Sequence, residues 1–171
     1  MSLPEEKKIS KRIQSEFKVK GFSISKRRIW LTAQRENLLD LCFLVKEMGF
    51  DHLSSISVTD WPDDGEFELT YHVWSYSKKI LITIRVRVDR DKPEVHSTFP
   101  IWKENAGIHE REMHEMFGVV FEGNPDLSSL FLEDWEGPPP FRKDFDWRKY
   151  VREKCYSADE DREKAYFRGG S

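Results

Sequence analysis

A chain of 171 residues fits one domain with an appendage. Its formal net charge is -3, with acidic and basic residues interleaved, which leaves no basic face of the kind a nucleic-acid binder needs. The apolar fraction of 38% lies below the roughly 45–50% of globular chains, and the charged fraction of 35% lies above the usual ~25%. Aromatic residues reach 13%, too many for a disordered chain. Two readings fit: surface ion-pair networks of the thermophilic kind, or a small core on a chain that buries further apolar surface in a complex.

Only two cysteines occur, Cys42 and Cys155, with no C-x-x-C pair. An iron–sulfur or zinc site held by this chain alone is therefore not expected. Cys42 falls among Leu41, Phe43 and Leu44 and reads as a core residue. The N-terminus has no signal-like apolar run. The longest apolar run, Leu41 to Val45, is far short of the ~20 residues that cross a bilayer. A soluble, intracellular chain is expected, reaching a membrane only through a partner.

Residues 4–20 place Ile9, Ile13 and Phe17 at four-residue steps among Lys, Arg and Glu, the pattern of a short amphipathic helix. Arg27 to Leu31 reads as a strand. Thr32 could cap a helix over 33–48, with Leu38, Leu41, Cys42, Val45 and Met48 on one face and Gly49 closing it. Leu53, Ile56 and Val58 mark a further strand. Phe67, Leu69, Tyr71 and Val73 alternate with Glu66, Glu68, Thr70 and His72, and Ile80, Ile82, Ile84, Val86 and Val88 face opposite Leu81, Thr83, Arg85 and Arg87. Pro62 to Gly65 and Ser75 to Lys79 are turns, so these strands form antiparallel hairpins. Arg85, Arg87 and Arg90 have Asp89, Asp91 and Glu94 beside them, as on a solvated strand face. Residues 93–105 read as irregular, and a helix over 106–117 ends at Gly118. The expected class is α+β: a two-layer domain with a mostly antiparallel sheet covered by helices, followed by an extended C-terminal arm. The expected segments are 1–24 helical, 25–118 the α+β domain, 119–150 the arm and 151–171 a charged tail.

His109, Glu110, Glu112 and His114 look like a zinc motif, but the spacing fails. H-E-x-x-H needs an offset of four between its histidines, and here the offset is five, roughly 140° around a helix. Arg111 three before His114 breaks a di-iron pair as well. A charged helix face, with Arg111 and Glu115 paired at i, i+4, is the simpler reading. No phosphate loop and no nucleophile elbow occur. The six tryptophans lie in dissimilar contexts and read as core and interface anchors.

The most informative stretch is Ile108 to Tyr150. After its helical opening it becomes rich in Gly, Pro, Asp, Trp and Phe, with almost no periodicity. It still carries Phe121, Leu127, Leu130, Phe131, Leu132, Trp135, Phe141, Phe145 and Trp147. Extended, aromatic-rich segments of this kind lie on something, and another protein is the natural surface.

Within it, E-R-E-M-H-E-M-F-G-V-V-F-E-G-N-P-D-L followed by E-D-W-E-G-P-P-P-F-R-K-D-F closely resembles the signature of the 30-kDa subunit family of respiratory complex I. That signature reads approximately E-R-E-x-x-D-M-F-G-I-x-F-x-G-H-P-D-L-R-R, then D-W-x-G-x-P-L-R-K-D-Y. The matches run from Glu110, Arg111 and Glu112 through Met116 to Gly118, Phe121, Gly123 and Pro125 to Leu127. They resume at Asp134, Trp135, Gly137, Pro139 and Arg142 to Asp144. The resemblance covers about residues 25–150. Departures are Glu115 for Asp, Asn124 for His, Ser128 and Ser129 for an Arg pair, and the run Pro138 to Pro140.

The resemblance implies a non-catalytic subunit that binds no cofactor. It implies docking on the 49-kDa-type subunit, related to the large subunit of [NiFe] hydrogenases, beside other peripheral-arm subunits including an iron–sulfur subunit. The expected location is the cytoplasmic side of the cell membrane. The departures point to a membrane-bound hydrogenase-type or sulfur-reducing complex. The alternatives are the equivalent subunit of a standard NADH:quinone enzyme or of a formate hydrogenlyase, and a stand-alone binding module. Candidate partner-binding residues are Glu110, Arg111, Glu112, Phe117, Phe121, Leu127, Phe131, Asp134, Trp135, Phe141, Arg142 and Lys143. The first three are expected to brace the start of the arm.

Overall fold

The structure, a computed structural model, describes residues 3–154. The expected tail beyond Lys154 lies outside the described residues. Five strands form the main sheet: β1 (Lys20–Ser25), β2 (Arg28–Thr32), β3 (His52–Trp61), β4 (Glu66–Ser75) and β5 (Ile80–Asp89). Their order is β1-β2-β5-β4-β3. Three neighbouring pairs are antiparallel, and β2 with β5 is parallel. The class is therefore the mixed, mostly antiparallel α+β architecture that the sequence pattern predicts.

The alternation in β4 and β5 decides which face is covered. Phe67, Leu69, Tyr71 and Val73 are buried, and Ile80, Ile82, Ile84, Val86 and Val88 lie beside them in register. On β3 the buried positions are Leu53 and Ile56, three apart, because a register shift lies between Leu53 and Ser55. Beyond it the period of two resumes and turns Asp60 inward. The helices α1 (Pro4–Glu16), α2 (Leu38–Glu47) and α4 (Glu104–Phe117) contribute Ile9, Ile13, Leu38, Leu41, Cys42, Val45, Met113 and Met116 to the same core.

Four local expectations change. The segment expected to be helical to residue 24 turns into β1, an edge strand with a register shift after Lys20. Thr32 does not cap a helix. It ends β2, and Ala33 N–H donates to the Arg85 carbonyl at 2.8 Å, extending the ladder. A 3-10 turn over Arg35–Asn37 intervenes before α2. The span 93–105 holds a short strand β6 (Glu94–His96) and a one-turn helix α3 (Phe99–Trp102). β6 pairs in parallel with β7 (Val120–Glu122), which buries Val119 and Phe121. The first residues after Gly118 therefore complete the domain. A chain cut at Gly118 would lose Val119 and Phe121 from its core.

Candidate functional site

The arm is held in one shape by side chains of the domain. Helix α4 sets this up. Its inward stripe, Ala106, Glu110, Met113 and Phe117, follows helical spacing, and Glu110 is fully buried in it. A buried carboxylate needs donors. Glu110 Oε1 accepts from Thr98 N at 2.7 Å and Thr98 Oγ1 at 2.8 Å. Its Oε2 accepts from Ser97 Oγ at 2.5 Å and Asn124 Nδ2 at 2.8 Å. Asn124 thus ties the arm to the helix, with its amide donor set against the buried carboxylate.

The next turn of α4 holds the next part of the arm. Arg111 does not pair with Glu115, as i, i+4 spacing suggests. Its guanidinium donates to the Ser128 carbonyl at 3.1 Å, Ser128 Oγ at 3.2 Å and the Ser129 carbonyl at 2.8 Å. Asp126 lies 3.7 Å away. Glu115 caps the following turn, accepting from the backbone N–H of Leu130 (3.2 Å), Phe131 (3.0 Å) and Leu132 (2.9 Å), and from the Ser129 hydroxyl. Burial opposes its charge, but these donors hold its carboxyl below the usual range.

Gly118 closes α4 at φ 81°, and a Cβ there would stand 3.0 Å from Pro139 Cγ, so the arm crosses the helix end closely. Trp135, Phe145 and Tyr150 then pack against one another, edge-on or tilted, with centroids 4.7–5.9 Å apart. Trp135 Nε1 donates to the Pro138 carbonyl at 3.0 Å. Gly137 fits under this cluster, where a Cβ would meet Trp135 at 2.6 Å.

The last tie is ionic. Asp60, buried on β3, receives Arg90 Nε at 2.7 Å and Nη2 at 3.1 Å, and the Lys143 N–H at 2.8 Å. Arg90 also holds Asp144 of the arm at 2.6 Å. Arg142 donates to the Arg90 carbonyl at 3.3 Å, and Phe141 N–H donates to the Met116 carbonyl at 3.0 Å. The guanidiniums of Arg90 and Arg142 lie 5.6 and 5.3 Å from the Phe67 ring centroid. The Arg90 hydrogen bonds keep the carboxyls of Asp60 and Asp144 below the ordinary aspartate range.

These shifts set a pH response. Carboxyls with depressed folded pKa values stabilise the arm fully above their unfolded values, about 3.9 for Asp and 4.3 for Glu, and lose that contribution as pH falls through the folded values. Amides of 129–145 should therefore lose hydrogen-exchange protection below about pH 4, before those of β4 do. Equal protection of both regions down to pH 3 would contradict this.

Several expected partner contacts thus prove internal. Glu110 and Phe121 are buried in the domain and cannot meet a partner in this arrangement. Phe117 is 9% exposed and sits edge-on between Phe67 and Phe141. Arg111, Trp135 and Arg142 shape the arm, and Leu127 packs partly on the core. Glu112 is half-buried on α4. Asp134 is exposed, with φ 57°. Lys143 is exposed, with its ammonium 5.8 Å from the Trp61 ring. Phe131 and Phe141 stand outward at 62% and 60% exposure, with Trp147 of α5 (Trp147–Lys154) at 58%. The candidates drawn from the sequence leave out Asp60, Arg90, Glu115 and Asp144, of which Asp60 is legible from the period of two along β3. Among the described residues no cluster of three metal-ligating side chains occurs, and no helix is long and apolar enough to cross a membrane. His114 instead sets Nδ1 2.8 Å from the Val119 carbonyl.

Comparison with known proteins agrees with this architecture. The component lettered C of the F(420)H(2) dehydrogenase from Methanosarcina mazei is 35% identical over 121 residues, 70% of this chain and 76% of the relative. The component of the same letter in the NADH-quinone oxidoreductase of Moorella thermoacetica is 36% identical over 116 residues, 67% of this chain and 78% of the relative. A chain from the membrane-bound sulfane sulfur reductase, an archaeal respiratory membrane complex, superposes with TM-score 0.77 at 29% identity, covering 91% of this chain and 94% of that one. A trypsin-resistant fragment of Nqo5 shares the fold, with TM-score 0.59 at 23% identity over 71% of this chain and 98% of the fragment. The family model described as respiratory-chain NADH dehydrogenase, 30 Kd subunit, matches residues 31–151, and the chain belongs to that family.

Proposed function

We propose that this chain is a non-catalytic structural subunit of the peripheral part of a membrane-anchored respiratory redox complex, and that its arm docks on a hydrogenase-large-subunit-like, 49-kDa-type subunit. The observation that carries the reading is the arm's preorganisation. Domain side chains fix its path, while Phe131 and Phe141 remain largely exposed along it. An isolated chain gains nothing from holding large aromatic rings in water. A rigid arm loses less entropy on docking than a free one, and exposed aromatics are the usual anchors. Family membership supports a respiratory redox complex, and the likeness to the sulfane sulfur reductase chain supports a sulfur-reducing one; a membrane-bound hydrogenase-type complex belongs to the same proposal. An adjoining iron–sulfur subunit and a position on the cytoplasmic side of the membrane belong to the same reading.

Phe131→Asp with Phe141→Asp is the test, because both side chains are outward and the chain should still fold. Capture of the large subunit by the full-length double variant should fall by about a hundredfold, two hot spots of about 1.4 kcal/mol or more each. Unchanged capture with a native circular dichroism spectrum would remove the arm as the dock.

The same reading assigns no cofactor to this chain. Purified, tag-free chain should show no absorption above the protein band, and stoichiometric iron, nickel or zinc would refute the assignment.

A further inference from the structure

A second surface lies away from the arm. Helix α1 leans on the domain through Ile9 and Ile13, with Glu6 accepting the Arg27 N–H at 2.9 Å. Between α1 and the C-terminal end of α2 it leaves an open groove of about 780 Å³. The floor is apolar: Ile9, Leu44 and Met48. Phe43, one turn before Glu47 on α2, is 43% exposed. The rim is basic. Lys8, Lys11, Arg12 and Lys78 line it against two carboxylates, Glu5 and Glu47. Glu5 is taken by Lys78 at 3.3 Å, and Arg12 by Glu16 at 2.7 Å. Lys8 and Lys11 make no ion pair among the described residues. Helix α1 also precedes the stretch 31–151 that the family model matches, so the groove is not built from that stretch alone.

We propose that this groove is a second docking surface, and that its occupant is an amphipathic helical segment of a neighbouring subunit, apolar on one face and acidic along its flanks. The inference rests on the chain being a subunit, but not on the arm being the dock. Shape and charge choose the occupant. A trough between two helices takes the apolar i, i+3, i+4 face of a third helix, and Met48 with the lysine stems can adapt to its side chains. Acidic flanks answer Lys8 and Lys11, on a chain whose overall charge is negative.

The test uses the full-length chain assembled in its complex, with a photo-cross-linking amino acid in place of Ser15 on the groove rim. The expected product is one peptide from another subunit, acidic, with apolar residues at helical spacing. Lys8→Glu with Lys11→Glu should lower its yield about tenfold, as should raising the salt to about 0.5 M. A cross-link to lipid, to a second copy of this chain or to a segment without acidic residues would overturn the proposal. So would the absence of any cross-link, or a yield indifferent to the two lysines. Capture of the large subunit by the Phe131 and Phe141 variants reports separately on the arm, so failure of one reading is not mistaken for failure of the other.

Discussion

Glu110→Ala should be among the most destabilising single changes in this chain. The carboxylate accepts from Thr98 N, Thr98 Oγ1 and Asn124 Nδ2, and it takes the Ser97 hydroxyl as well. Alanine removes all four acceptor contacts at a position with no solvent access. Each orphaned buried donor costs about 1–3 kcal/mol, less where relaxation lets it find a new partner. A loss of about 4 kcal/mol or more follows, against a total domain stability of about 5–15 kcal/mol. Glu110→Gln should be intermediate. It keeps one oxygen but turns an NH2 group toward the N–H of either Thr98 or Asn124, neither of which can accept from it. Urea unfolding measures both. A loss below about 1 kcal/mol for the alanine variant would mean that Glu110 is not the pin between α4, the β6–α3 segment and the arm.

Glu110 also shows how far the sequence can be read. The positions 106, 110, 113 and 117 repeat at helical spacing, so the inward stripe is legible, yet a glutamate between histidine and arginine reads as part of a charged face. What decides its direction is a pair of hydroxyls at Ser97 and Thr98 and an amide at Asn124, on segments with no periodicity of their own. β4 and β5 are plain because apolar residues recur at every second position over ten residues, strictly in the burial of β4 and with Thr83 also buried in β5. β1 is hidden because Gly21 and a register shift break its alternation straight after a helix. β6 and β7, at three residues each, are too short to carry a period and exist because each pairs with the other. The arm's aromatics announce an interface, but not which of them face outward. Trp135 and Phe121 carry the same signal as Phe131 and Phe141. Only packing separates the residues that shape the arm from those that it presents.

Arg90→Leu should release the end of the arm and destabilise the domain together. Asp60 is 3% exposed, and Arg90 is its ion-pair partner. Removing one member of a buried pair leaves the other without a counter-charge, at a cost of about 3–5 kcal/mol. Asp144 loses its partner in the same step, and the Phe67 face loses one of its two guanidiniums. Arg90→Lys should rescue little, since a single ammonium cannot bridge two carboxylates with the fork that serves both here. Asp60→Asn with Arg90→Leu separates the contributions. The amide still accepts the Lys143 N–H but no longer carries a buried charge. The double variant should therefore be more stable than Arg90→Leu alone, although the arm still lacks its Arg90–Asp144 tie. Urea midpoints report the stability, and hydrogen exchange at 141–145 reports the arm. If Arg90→Leu unfolds at the parent's midpoint, or if the double variant is the less stable of the two, the buried Asp60–Arg90 pair is not what ties the arm to the sheet.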